Sequence, residues 1–228
     1  MPGLFTFGVS TPAGLRAVWL TRRRDSGESV DSMKVYRRMD IGTAKPPKEV
    51  RKQIPYHLID VVEPSEQFSV ARFIELANEA IEQIKANGKN IIAVGGTALY
   101  IKALLYGLFE GPGADERIRE KLQQRLQVEG LEKLYEELKA IDPEACRLIH
   151  QNDKKRVIRA LEVYELTGKP ISSFQTQWRE QLGSGWKIIG LRREKEQESK
   201  RINIRVKKMA DAGLVDEVKK LLAEDKPL

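Results

Sequence analysis

Four apolar residues, Ile91 to Val94, run straight into Gly95-Gly96-Thr97, and a second apolar stretch, Leu99 to Leu105, begins at once. So short an unbroken apolar run marks a strand covered on both faces, as in a parallel sheet. The glycines end it, and the stretch that follows has helical length. Strand, glycine turn and helix in that order predict a doubly wound α/β layout, whose ligands bind at the carboxyl ends of the strands. The preceding segment agrees. Ser69 is a good N-cap for a helix to about Ala86, with Val70, Phe73, Ile74, Ala77, Ile81 and Ile84 recurring at three and four before Gly88 stops it.

From Asp115 the pattern turns helical. Ile118, Leu122, Leu126, Leu131, Leu134 and Leu138 form a stripe broken near Gly130. Asp142-Pro143 and Asn152-Asp153 are start signals for two more helices, the second ending at Thr167 before Gly168. Pro170 to Gly185 reads as a loop-rich connection and Trp186 to Leu191 as one further strand. Ile202, Val206 and Met209 mark a helix closed by Gly213, and Leu214, Val218, Leu221 and Leu222 mark the last. The expected division is an α/β core over 29–113 and about 186–228, a helical part over 114–185, and an atypical segment over 1–28. Up to Arg24 that segment holds no acid and no lysine, and it lacks the apolar stretch of a secretory leader.

Composition removes several classes of function. One cysteine, Cys146, leaves no internal disulfide framework, and with only His57 and His150 a multi-histidine metal site is excluded. No apolar run approaches the roughly 20 residues of a spanning helix, so no membrane role is expected. A reduced, cytoplasmic setting fits the single thiol. The 40 basic against 33 acidic side chains give a charge of +7, compatible with a polyanionic partner and with plain solubility.

Three groups of residues could carry chemistry. At Gly95-Gly96-Thr97 the glycines allow close backbone approach, the following helix offers unpaired N–H groups to an anion, and Thr97 adds a hydroxyl. A tight turn without a ligand is the plainer alternative. Asp31-Ser32 would reach the same sheet edge, where the carboxylate could hold magnesium or act as a base. A carboxylate is a weak base, useful where the proton turns acidic during reaction, and Asp-Ser is also a common turn pair. The third is the helix after Asp153. At roughly 100° per residue, Lys155, Arg156 and Arg159 share one face with no acid between them, opposite Val157, Ile158, Leu161 and Tyr164. That face suits a phosphate backbone, or is simply solvated. Arg201 and Arg205 repeat the theme at i, i+4 and could clamp a diphosphate. Cys146 and His57 read as structural.

Six segments, in order and naturally spaced, resemble the tRNA isopentenyltransferase family: DSMKVYRRMDIGTAKP from Asp31, IPYHLIDVVEPSEQFSVARF from Ile54, VGGTALYIKALLYGLF from Val94, ADERIR from Ala114, HQNDKKRVIRALEVYELTGKPIS from His150 and RINIRVKKMADAGLVDEVKKLL from Arg201. The resemblance implies a P-loop-NTPase-like parallel sheet with a mainly helical second part. It also implies transfer of a dimethylallyl group from dimethylallyl diphosphate to N6 of an anticodon-adjacent adenosine in tRNA, with Mg²⁺, by a monomer. Carried over residue by residue, Asp31 matches the general base and Thr97 the threonine near the reacting centre. Ser32, Met33 and Lys34 match tRNA-contacting neighbours, as do Arg119 and the basic segment of Lys155, Arg156, Val157, Ile158 and Arg159. Gly95 and Gly96 match the substrate-side turn, and Arg201 a diphosphate-side arginine.

The resemblance also implies a glycine-rich phosphate loop with a lysine ahead of Asp31, and no lysine precedes Lys34. Weak binding of dimethylallyl diphosphate is therefore expected. At the other end, the sequence stops at Leu228, short of the glycine-tyrosine segment that the resemblance implies for tRNA contact.

Overall fold

A computed structural model of the chain describes residues 25–108, 111–174, 186–190 and 193–224. These belong to two compact units, one drawn from Met1–Leu105 and Leu182–Leu228, the other from Tyr106–Gln181.

The first unit is built on a parallel three-stranded sheet ordered β2-β1-β3, formed by β1 (Asp25–Val30), β2 (Tyr56–His57) and β3 (Asn90–Gly95). Ile91, Ile92 and Ala93 of β3 are all buried, as a strand covered on both faces must be. Helix α1 (Lys48–Gln53) follows the loop after β1. Helix α2 (Val70–Ala86) makes the crossover to β3, and its Phe73, Ala77, Ala80, Ile81 and Ile84 form the buried face. The Ser69 hydroxyl accepts the Arg72 N–H at 3.2 Å, so the expected cap starts this helix. Helix α3 (Ala98–Tyr106) leaves the glycine turn.

Two expectations change. Strand β1 begins at Asp25, inside the segment set apart as atypical, although Asp-Ser-Gly-Glu is a poor strand former. Its pairing explains this: every residue from Asp25 to Val30 is in register with β3, and Gly27 and Glu28 also face β2. Residues 186–190 hold one bridging position, Lys187, in place of the expected strand, and none of them is fully buried. Leu191 and 175–185 lie outside the described residues, as do residues 1–24.

In the second unit, α4 (Glu116–Glu129), α5 (Leu131–Ile141), α6 (Pro143–Cys146) and α7 (Lys154–Thr167) are followed by a 3₁₀ turn at Ile171–Phe174. Leu122, Leu134, Leu138, Val157, Leu161 and Val163 make its core. Asp142 is 2% exposed; its carboxylate accepts the Ala145 N–H and the Ser172 N–H, each at 2.9 Å, and so joins α6 to the 3₁₀ turn. Back in the first unit, α8 (Lys195–Asp211) and α9 (Leu214–Leu222) end the described chain. Among the described residues no helix is long and apolar enough to cross a membrane.

Candidate active site

Val30 and Gly95, the last residues of β1 and β3, are partners in register. A Cβ on Gly95 would stand 1.8 Å from the Val30 carbonyl oxygen, so only glycine permits this closeness. Two residues later Thr97 reaches across. Its Oγ1 accepts the Ser32 N–H at 3.0 Å, and its hydroxyl donates to Ser32 Oγ at 3.3 Å. The expected meeting of the Asp31 segment and Thr97 at one sheet edge is thus present, with Ser32 as the direct contact.

Asp31 serves the turn that carries it. Its Oδ1 accepts the N–H groups of Met33 at 2.9 Å and Lys34 at 3.4 Å. Its Oδ2 accepts no hydrogen bond among the described residues and lies 4.0 Å from Lys34 Nζ. The Asp31 side chain is about a third exposed, Met33 is exposed and Gly96 is exposed, so this rim is open to a ligand. Beneath it Tyr100 is buried and stacked on Phe73 with ring centroids 4.2 Å apart. Burial first, then Tyr36 and the Asp31 charge, push the Tyr100 phenol up to about 12, so it stays neutral there.

Arg201 stands elsewhere, in a groove of about 860 Å³ that it lines with Asp40, Ile41, Lys45, Arg205 and Lys208. Arg201, Arg205 and Lys208 on one groove suit an anion, while Lys45 is 1% exposed and bound to Asp40 and Asp60. Neither Asp31 nor Thr97 lines it.

In the helical unit the basic face differs from its expectation of three uncompensated cations. Asp153 caps α7 and pairs with Arg156 at 3.3 Å. Arg159 bonds Glu162 at 2.8 Å and donates to the Pro112 and Gly113 carbonyls. Val157 and Ile158 are buried in the helical core, so their side chains hold the helix in place while Lys155 and Arg156 face solvent. Arg119 is tied to the same acid, its Nε 2.9 Å from Glu162. Glu162, fully buried, also accepts the Asp115 N–H at 2.8 Å. Sequence reasoning missed Glu162; its place three residues after Arg159 was the available signal.

Cys146 is a free thiol pushed up chiefly by burial, which makes it a poor nucleophile. His57 is lowered by burial and by Lys89. Among the described residues no group of three or more His, Cys, Asp or Glu side chains could hold a metal ion.

A sequence model of IPP transferase matches residues 34–228, nearly the whole span from the Asp31 turn onward. The chain belongs to the IPP transferase family. Among the relatives of this family member, the tRNA dimethylallyltransferase of Aquifex aeolicus is 52% identical over 194 residues, covering 85% of the chain and 63% of that protein. That of Geobacter metallireducens is 46% identical, covering 90% of the chain and 67% of that protein. The chain therefore spans about two thirds or less of the length of these relatives. The solved full-length tRNA isopentenylpyrophosphate transferase of Bacillus halodurans superposes with a TM-score of 0.56 at 35% identity, over 99% of this chain and 72% of that one. A eukaryotic dimethylallyltransferase solved acting on tRNA gives 0.74 at 26%, over 100% of this chain and 58% of that one. These likenesses agree with the α/β fold described above.

Proposed function

We propose that this chain transfers a dimethylallyl group from dimethylallyl diphosphate to N6 of an adenosine beside a tRNA anticodon. The observation that carries the reading is the Ser32–Thr97 contact, which holds the Asp31 carboxylate at the open end of the parallel sheet. An exocyclic amine is a poor nucleophile while it keeps both protons. Oδ1 of Asp31 is committed to its turn, which leaves Oδ2 to accept the N6 proton as the carbon–nitrogen bond forms. The allylic carbon–oxygen bond breaks in the same step, and its electron pair leaves with the diphosphate. The adenine must be unstacked to reach the rim, and the exposed Met33 and Gly96 leave room for it.

The donor set suits Mg²⁺ only as a guest of the diphosphate: the two neutral hydroxyls of Ser32 and Thr97, the single carboxylate of Asp31, and no acidic cluster among the described residues. Bound there, the ion would neutralise charge gathering on the leaving group. Arg201 and Arg205 are the diphosphate-side cations in this reading, which requires the diphosphate to extend from the Asp31 rim toward their groove, and Lys155 and Arg156 are the exposed tRNA contacts. The reaction is placed in the cytoplasm and carried out by a monomer.

The stretch 8–25, where the resemblance implies a lysine-bearing phosphate loop, carries arginines and no lysine, and this favours one second reading, a homologue that grips tRNA without transferring the prenyl group. One experiment separates them: labelled dimethylallyl diphosphate at millimolar concentration, Mg²⁺ and tRNA, with a gel shift in parallel. Label entering tRNA supports transfer; a shift without label supports the second reading; neither result overturns both.

A further inference from the structure

We propose that Glu217, on α9, is a positioning residue for the Asp31 turn, acting through the loop 40–45. The proposal rests on the function proposed above for that turn.

Three successive backbone N–H groups converge on the Glu217 carboxylate. Oε2 accepts those of Asp40 and Ile41, both at 2.8 Å, and Oε1 accepts that of Gly42 at 3.0 Å. Consecutive N–H groups turned to one side form a cradle whose natural guest is an anion, and here α9 supplies the guest from its first turn. The fit is close. A Cβ on Gly42 would meet Leu214 Cδ1 at 3.1 Å, so the loop lies directly on the helix. Arg38, two residues before the cradle, adds a second tie to this end of the chain through Glu224 at 2.8 Å.

The loop needs holding. Arg38, Ala44 and Asp60 all have positive φ, at 61°, 51° and 58°. Such conformations are strained for residues other than glycine and persist where surrounding contacts over-determine them. From the cradle a short path leads to the active-site turn. The Asp40 carboxylate bonds Lys45 Nζ at 2.9 Å, and the same nitrogen donates to the Tyr36 carbonyl and to Asp60 Oδ1. The Asp60 N–H then donates to the Lys34 carbonyl at 3.2 Å, and the Lys34 N–H is one of the two that Asp31 accepts. The Lys45 side chain is 1% exposed, a buried cation with three acceptors that has no room to re-aim. Burial alone would raise the Asp60 carboxyl, but Lys45 and Arg51 hold it below the ordinary range, so it remains an anion anchoring both.

Glu217 thus closes a chain of bonds that begins on α9 and ends at the backbone carrying Asp31. It also holds the backbone of Asp40 and Ile41, which line the groove together with Arg201 and Arg205.

The test uses the full chain with E217Q and E217A, followed by amide resonances of 31–34 and 40–42, melting temperature, tRNA affinity, and kcat and KM for prenyl transfer. In both variants the amides of Met33 and Lys34 are expected to shift along with those of 40–42. The turnover number is expected to fall about tenfold while tRNA affinity holds, and about 100 mM acetate should restore part of both signals in E217A by refilling the cradle. The proposal is overturned if the 40–42 amides move while those of 33 and 34 stay put and kcat remains within about twofold of the parent. It is overturned equally if acetate restores nothing in a folded E217A. Should the parent chain transfer no prenyl group, the functional reading fails, and the amide and acetate results still decide the role of Glu217.

Discussion

Thr97 Oγ1 accepts the Ser32 N–H at 3.0 Å, joining residues 65 positions apart at the carboxyl edge of the sheet. The helix after a glycine turn usually uses such a hydroxyl for its own cap. Here the Thr97 carbonyl accepts the first helical N–H, from Ile101 at 3.0 Å, and the side chain is released to hold the Asp31 turn.

Thr97→Val keeps the shape and removes the acceptor. The Ser32 N–H is left unpaired in a half-buried place, at a cost of about 1–3 kcal/mol. The urea midpoint is expected to drop, and single-turnover transfer to fall by about 10²-fold, with Thr97→Ser close to the parent in both. Equal transfer by the Val variant would remove Thr97 from the site.

Gly95→Ala tests the packing beneath that contact. The added methyl would collide with the Val30 carbonyl, which is backbone in the middle of the sheet and cannot yield. Thermal unfolding should fall by about 10 °C or more. A variant melting with the parent would mean that β1 and β3 are not held this close.

Much of this was legible in advance. Local signals placed α2 and α7, because Ser69 and Asp153 are side-chain caps and Gly168 takes a left-handed conformation after Thr167. The meeting of the Asp31 turn with Thr97, through Ser32, followed from two strand ends sharing one sheet edge. What stayed hidden depends on partners far away in sequence. Nothing near Glu217 announces the 40–42 loop, and nothing near Arg119 announces Glu162. The start of β1 was missed because its residues are poor strand formers, and its pairing on both sides overrides propensity.

Glu28 makes stability depend on pH. It is 1% exposed in the middle strand, and among the described residues neither carboxyl oxygen has a hydrogen-bond partner. Burial raises it from an ordinary 4.5 to about 8. The folded chain therefore holds this proton where the unfolded chain has released it, so stability falls as pH rises from about 4.5 to about 8 and levels beyond. The effect is on the order of 5 kcal/mol across that window. Urea titrations at pH 5.5 and 8.5 should show the decline in the parent and flatten it in Glu28→Gln; parallel slopes would mean that the carboxyl is charged and paired.

The α7 cations should separate in their effects. Lys155 is exposed and has no ion pair among the described residues, whereas Arg159 spends its guanidinium on Glu162, Pro112 and Gly113. Lys155→Ala should lower the slope of log affinity for tRNA against log salt by about 1 at unchanged melting temperature. Arg159→Ala should chiefly destabilise the helical unit by leaving buried Glu162 short of a partner, by about 3 kcal/mol. A reversed pattern would make Arg159 the phosphate contact.

The most direct measurement is single-turnover transfer of labelled dimethylallyl to tRNA by the parent chain and by Asp31→Asn, with tRNA affinity recorded for both. Asparagine still accepts the Met33 and Lys34 N–H groups but cannot take the N6 proton, so transfer should fall by about 10²–10⁴-fold at unchanged tRNA affinity. Transfer by Asp31→Asn within about twofold of the parent would show that this carboxylate is not the base.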